Sequence, residues 1–143
     1  MRTRGPTLWS PIAHVTVEDA RCRSAIVETL QRSGWSVVAQ PTGLHLIRAM
    51  SGVILGDRPW LRPKMIVADA VARGCSGATI ARGLRDLGLS IPVILIANPD
   101  RRPPVPTDRD VTLVDPANAA HAVADLARRL AVGDAAAPRG ASA

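Results

Sequence analysis

Three acidic residues follow two apolar runs of this sequence, at the point where each run ends. Glu18 and Asp19 come directly after Ile12–Val17, and Asp69 comes directly after Met65–Ala68. If the two runs form neighbouring parallel strands, the three carboxylates meet at one edge of the sheet. Like charges that lie this close need a bound cation or a proton to coexist. The pattern therefore predicts a small acidic site centred on Asp69.

The elements that must position these carboxylates are five short apolar runs that alternate with helical patterns. The predicted strands are Ile12–Val17, Trp35–Ala39, Met65–Ala68, Pro92–Ala97 and Val111–Val114. Asp19 can cap the helix after the first strand, and Pro116 opens a last helix that is predicted to run through Leu130. Strands that alternate with helices indicate an α/β fold with a doubly wound, five-stranded parallel sheet. Ligands of such folds bind at the carboxyl ends of the strands.

The domain organisation follows from where the periodic pattern begins and ends. We expect residues 1–11 to form a flexible N-terminal arm, residues 12–132 to form one domain, and residues 133–143 to be a disordered tail rich in Ala, Gly and Pro. The stretch Ser51–Lys64 is a long connection with several apolar side chains, Ile54, Leu55, Trp60 and Leu61. It is either a partner surface or a satellite core over the sheet edge, and the sequence favours neither.

Composition limits the classes of partner. The net charge is +6, but the chain has no Phe or Tyr and only three Trp, so it lacks the stacking platforms of single-strand nucleic-acid binders. We therefore do not expect nucleic acid as a partner. No apolar stretch approaches the roughly 20 residues that span a bilayer. Cys22 and Cys75 form neither a metal spacing nor a disulfide framework, so a reduced, cytoplasmic location is expected.

The order and spacing of the motifs resemble the receiver domain of bacterial two-component response regulators over about residues 12–131. The segments that carry the resemblance are His14–Ala20, Trp35–Ala39, Met65–Gly77, Pro92–Ala97 and Val111–Pro116. The resemblance implies the flavodoxin-like receiver fold and phosphorylation of Asp69 by a histidine kinase. It also implies a Mg²⁺ ion that offsets the charge during transfer. Its ligands would be Glu18, Asp19, Asp69 and the backbone carbonyl of Val71.

The sequence departs from the family's pattern at the positions that sense the phosphoryl group. Ala97 stands where the family has a Thr or Ser hydroxyl, and Asp115 stands where it has a lysine. Thr112 replaces the aromatic switch residue. Four prolines between the fourth and fifth strands imply that the family's fourth helix is degenerate or absent. The phosphoryl group would thus lose a hydrogen-bond donor and a cation, and would face a carboxylate instead.

These departures favour a stand-alone, atypical receiver, or pseudo-receiver, that works mainly through protein–protein interaction and is not an enzyme. The resemblance implies a histidine kinase or a downstream signalling protein as partner, and a homodimer as a further form, in two-component phosphorelay signal transduction. The alternative is a true phosphoacceptor that takes phosphate on Asp69 with Mg²⁺ but lacks the usual switch. A small metal-dependent α/β enzyme ranks last, because the chain shows neither a nucleophile–base pair nor a Gly-rich phosphate loop.

Overall fold

Five parallel strands form one sheet in the structure, a computed structural model that describes residues 10–55, 62–72, 75–101 and 109–136. The strands are β1 (Ile12–Thr16), β2 (Ser36–Ala39), β3 (Met65–Asp69), β4 (Val93–Ile96) and β5 (Val111–Val114). Their order across the sheet is β2-β1-β3-β4-β5. The predicted five-stranded parallel sheet is therefore confirmed, and β3, which ends on Asp69, is its central strand.

Four α-helices of the described residues pack on the two faces of this sheet. They are α1 (Ala20–Arg32), α2 (Gly43–Leu55), α3 (Gly77–Asp86) and α4 (Ala119–Ala136). Two short 3-10 helices, Pro99–Arg101 and Pro116–Asn118, follow β4 and β5. None of the helices seen in these ranges has the length and hydropathy needed to cross a membrane.

Alternation of side chains along the strands divides the core into two layers. Met65 and Val67 of β3 pack with side chains of α1 and α4 on one face of the sheet. Ile66 and Ala68 pack with side chains of α2 and α3 on the other face. A strand that is buried on both faces must be apolar at every position, which explains the uninterrupted run before Asp69.

Two helices are longer than the sequence pattern indicates. α2 continues through Gly52 to Leu55, so the first part of the Ser51–Lys64 stretch is helix rather than connection. Residues 56–61, with Trp60 and Leu61, lie outside the described residues, and the proposed roles of that stretch stay predictions. α4 ends at Ala136, so the domain end predicted at residue 132 falls inside this helix. The many alanines of α4 favour the helical conformation.

Other predictions fall partly outside the described residues. Residues 1–9 of the predicted arm and residues 137–143 of the predicted tail are not described. Between β4 and β5 the structure describes the 3-10 helix after β4 and then residues 109 and 110, while residues 102–108 lie outside. The degenerate fourth helix is therefore seen only as this short 3-10 turn.

The first residue of α3 must be a glycine because the helix begins against the end of β3. A Cβ atom on Gly77 would lie 2.5 Å from the carbonyl oxygen of Asp69 and 2.6 Å from Cδ2 of Leu95. The first residue of α2 is constrained in a similar way, since a Cβ on Gly43 would collide with the carbonyl oxygen of Cys75. Asp69 and Cys75 thus each lie against the start of a helix.

This close approach predicts opposite effects for two glycine substitutions in the same helix. Gly77→Ala should lower the free energy of unfolding by about 1–3 kcal/mol, because the added methyl group must displace backbone. Gly83→Ala should raise it by about 0.5–1 kcal/mol, because no atom lies within 4 Å of a Cβ there and alanine favours the helix. Urea denaturation of both variants tests this, and equal effects would contradict the packing described for Gly77.

A buried polar pair adds a pH dependence to the fold. Nδ1 of His14 lies 3.1 Å from Oε1 of Gln40, and both side chains are buried. An amide oxygen only accepts, so Nδ1 carries the proton of a neutral imidazole. Burial lowers the pKa of His14, although the hydrogen bond to Gln40 partly opposes this. The unfolded chain therefore takes up a proton at this residue more readily than the folded domain.

We expect stability to fall as the pH drops below about 6.5, the ordinary pKa of histidine, toward the lower pKa of His14 in the folded domain. Above that range the contribution of His14 is fully present. In His14→Gln the slope of the unfolding free energy against pH should be flatter between pH 7 and 5. The exposed His121 provides the control, and a slope in His14→Gln equal to that of His121→Gln would argue against this assignment.

Candidate functional site

Asp69 is the last residue of β3 and is partly buried at the carboxyl end of the sheet. Its Oδ2 accepts a hydrogen bond of 2.8 Å from the backbone N–H of Glu18. The contact exists because β1 is the neighbour of β3, with Thr16 paired in register with Ala68. The loop that follows β1 therefore passes directly beside the end of β3.

The second carboxylate of the site, Asp19, is the N-cap of α1. Its Oδ2 accepts a 2.9 Å hydrogen bond from the N–H of Cys22. The guanidinium of Arg23 donates to the carbonyls of Val17, at 2.9 Å, and Glu18, at 3.2 Å. These bonds tie the first turn of α1 to the loop after β1, so the side chains of Asp19 and Arg23 fix the backbone of the acidic loop.

The environment of Asp69 disfavours its ionised form. Burial is the largest cause that raises the pKa of this carboxyl, and the charges of Glu18 and Asp19 raise it further. The hydrogen bond from the Glu18 N–H acts in the opposite direction. A carboxylate with this balance gains from a nearby cation, which would stabilise the charged form.

An open cleft of about 630 Å³ lies above these carboxylates. The described residues that line it are Glu18, Asp19, Asp69, Val71, Ile96, Ala97, Asn98 and Pro116. All four residues predicted to hold a metal line this cleft, as does Ala97. The sequence reasoning did not single out Asn98, Ile96 or Pro116 as part of this site. These residues lie at or just after the ends of β4 and β5, and that position in the sequence could have indicated that they line the site.

Asp115 and Thr112, the other two predicted switch positions, have different surroundings. The Asp115 carboxylate caps the 3-10 helix after β5, where Oδ1 accepts from the backbone N–H of Asn118 at 3.0 Å. The side-chain Nδ2 of Asn118 also donates to both of its oxygens, at 3.0 and 3.2 Å. Thr112 is exposed on β5. Neither residue is among the described residues that line the cleft.

The donor set of the cleft suits a hydrated cation rather than a closed protein cage. In the described ranges, no group of three or more His, Cys, Asp and Glu side chains lies close enough to hold a metal ion. Asp19 and Asp69 each use Oδ2 in the hydrogen bonds given above, which leaves Oδ1 of each carboxylate for a cation. Mg²⁺ is usually held by one or two carboxylates and keeps several waters, so these residues fit that ion.

Comparison with known proteins gives the fold its name. No protein-family model and no curated protein matches the sequence. Among solved structures, a response regulator receiver domain protein from Bacillus halodurans aligns with a TM-score of 0.63 and 10% identity, over 84% of this chain and 96% of that one. The chain has the receiver fold.

Two further structures with the receiver fold lead to the same assignment. The signal receiver domain of a histidine kinase from Syntrophus aciditrophicus aligns with a TM-score of 0.63 and 18% identity, over 91% of this chain and 94% of that one. The signal receiver domain of the putative response regulator NarL from Mycobacterium tuberculosis aligns at 0.53 and 21%, over 83% and 97%. The resemblance to receiver domains found in the sequence is therefore confirmed for the fold.

The raised pKa of Asp69 predicts that Asp69→Asn is more stable than the wild type at pH 7. Asparagine keeps an oxygen to accept the Glu18 N–H bond and carries no charge that the fold must bury. The difference should shrink as the pH falls through the raised pKa of Asp69, and it should be lost below the ordinary aspartate pKa of about 3.9, where the carboxyl is neutral in both the folded and the unfolded state. Thermal unfolding across this pH range measures the effect.

The exposed Asp100 gives the control for this substitution. Asp100→Asn should show no comparable gain at pH 7, and Mg²⁺ should raise the unfolding temperature of Asp100→Asn and the wild type but not of Asp69→Asn. A gain of the same size in both variants would indicate a general effect of net charge.

Proposed function

We propose that this chain is an atypical receiver domain of two-component signal transduction, which works by binding a histidine kinase or a downstream signalling protein and not as an enzyme. The observation that carries the proposal is the Asp69 carboxylate at the end of the central strand of a receiver fold, beside Asp19 and open to a cleft. Because a fold alone does not determine function, the proposal depends on the carboxylates of this cleft as well as on the receiver fold.

Two forms of this proposal differ in whether Asp69 accepts a phosphoryl group. The missing hydroxyl at Ala97 and the missing lysine at Asp115 favour a pseudo-receiver that binds partners without phosphate. The surroundings of Asp115 favour the phosphoacceptor, because its carboxylate is occupied by Asn118 and so does not oppose the phosphoryl group from within the cleft. We infer the phosphoacceptor form with an atypical output.

In the phosphoacceptor form a carboxylate oxygen of Asp69 attacks the phosphorus atom of the donor. The new O–P bond forms as the bond from phosphorus to the leaving group breaks, and the leaving group keeps that electron pair. Bound Mg²⁺ would offset the charges of the carboxylates and the phosphoryl oxygens. Asp19 and Asp69 would hold the ion, with the carbonyl of Val71. The Glu18 N–H bond orients the Asp69 carboxylate toward the open side of the cleft.

The output of this domain would not follow the usual route of the family. Ala97 has no hydroxyl to respond to the phosphoryl group, and Thr112 provides no aromatic ring that could move inward. The chain contains no Phe or Tyr to take over that role. We therefore propose that the signal is read as recognition of the cleft and its rim by a protein partner, with a homodimer as one such assembly.

Incubation with acetyl phosphate and Mg²⁺ tests the phosphoacceptor form. Intact mass spectrometry should show the gain of one phosphoryl group in the wild type and in Asp100→Asn, and no gain in Asp69→Asn. The rate should fall as the pH drops through the pKa of Asp69, which lies above the ordinary value for aspartate, because only the carboxylate is a nucleophile. A wild type that stays unlabelled at neutral pH would leave the pseudo-receiver form.

A further inference from the structure

The cleft beside Asp69 has few side chains that could donate a hydrogen bond to a phosphoryl group. Three of the described lining residues are acidic and four are apolar, whereas Asn98 alone among them has a neutral polar side chain. A phosphoryl group has three oxygens that require donors or cations. Carboxylates only accept when ionised, so the Asn98 amide is the side-chain donor that this lining offers.

The pairing of β3 with β4 places Asn98 next to the acceptor. Asp69 is the register partner of Ile96, and the N–H of Ala70 donates to the carbonyl of Ile96 at 2.8 Å. Ile96 packs in the core layer that also contains Val67, whereas Ala97 packs in the opposite layer. By strand alternation, the sheet face that carries Ile96 is the face of Asp69, and Asn98 is the next residue of β4's continuation on that face.

Asn98 and Asp115 occupy equivalent positions before a 3-10 helix, so Asp115 shows what a capping role for Asn98 would look like. Each of the two residues directly precedes a proline that opens a 3-10 helix, Pro99 in one case and Pro116 in the other. Asp115 caps its helix through the N–H of Asn118. The structure shows no such bond from the Asn98 side chain within residues 75–101. Asn98 is exposed and lines the cleft instead.

We propose that Asn98 donates the side-chain hydrogen bond that holds a phosphoryl group on Asp69, in place of the hydroxyl that Ala97 lacks. This inference rests on the phosphoacceptor form of the proposed function. The amide has two N–H donors and no charge, so it can bind phosphoryl oxygens without displacing a cation between Asp19 and Asp69. A hydrogen bond to a charged group changes affinity on the order of 10- to 100-fold.

Beryllofluoride, a mimic of the phosphoryl group, is the probe for this site. Its affinity in the presence of Mg²⁺, followed by fluorine NMR, should fall on the order of 10- to 100-fold in Asn98→Ala. In Asn98→Asp it should fall further, since a carboxylate repels the anion. In Asn98→Gln, which keeps an amide donor at the same position, the affinity should stay above that of Asn98→Ala.

Two controls separate binding from folding. The unfolding temperature and the Mg²⁺ affinity without beryllofluoride should be the same in Asn98→Ala as in the wild type, because the Asn98 side chain is exposed. If the wild type binds the mimic and Asn98→Ala binds it equally well, the role of Asn98 is refuted and the proposed function stands. If the wild type takes neither acetyl phosphate nor beryllofluoride, the phosphoacceptor form and the role of Asn98 both fail.

Discussion

The hydrogen bond from the Glu18 N–H to the Asp69 carboxylate is the contact on which the whole site depends. It joins the loop after β1 to the end of β3 at 2.8 Å, and Asp19, the next residue of that loop and the cap of α1, lines the same cleft. Without it, the loop could carry its acids away from the sheet. Because the donor is a backbone group, the contact depends on the adjacent positions of β1 and β3 and not on the side chain at position 18.

This arrangement disfavours the ionised form of Asp69 in the folded domain. Burial and two neighbouring carboxylates raise the pKa of Asp69, and one backbone hydrogen bond only partly compensates. A domain gains little stability from such a group, and sites of this kind are where function is often found. The glycine at the start of α3 supports the same conclusion, because the helix packs on the carbonyl of Asp69 more closely than any other residue would permit. The end of β3 is thus packed closely against the start of α3.

The sequence differs from the receiver pattern that it resembles in the charge at position 115. A lysine would supply a full positive charge at position 115, and here an aspartate occupies that position. The Asp115 carboxylate accepts hydrogen bonds from Asn118, so this negative charge lies at the start of the 3-10 helix and not in the cleft. Hydrogen-bond donation by a neutral amide is weaker than an ion pair, which implies that any phosphoryl group on Asp69 is held more weakly and depends more on the cation.

Much of the fold was readable in the sequence, because its causes are local and periodic. Apolar runs such as Met65–Ala68 predict buried parallel strands, and Asp19 predicts the start of a helix. The acidic residues could also be assigned to one site, since the carboxyl ends of parallel strands share one edge. The last helix is predicted through Leu130 but continues to Ala136, because the residues from Gly133, whose composition is typical of a tail, include alanines that also favour a helix.

The sequence alone determined which segments are strands and which are α-helices. It also determined that position 97 has no hydroxyl and that position 115 has no lysine. Only the tertiary structure decided which side chains face the cleft. Asn98 and Asp115 both precede a proline and a 3-10 helix, yet Asp115 has a partner three residues later while Asn98 faces the cleft. The capping of Asp115 is a local bond, whereas the place of Asn98 depends on the pairing of β4 with β3, which joins residues far apart in the chain.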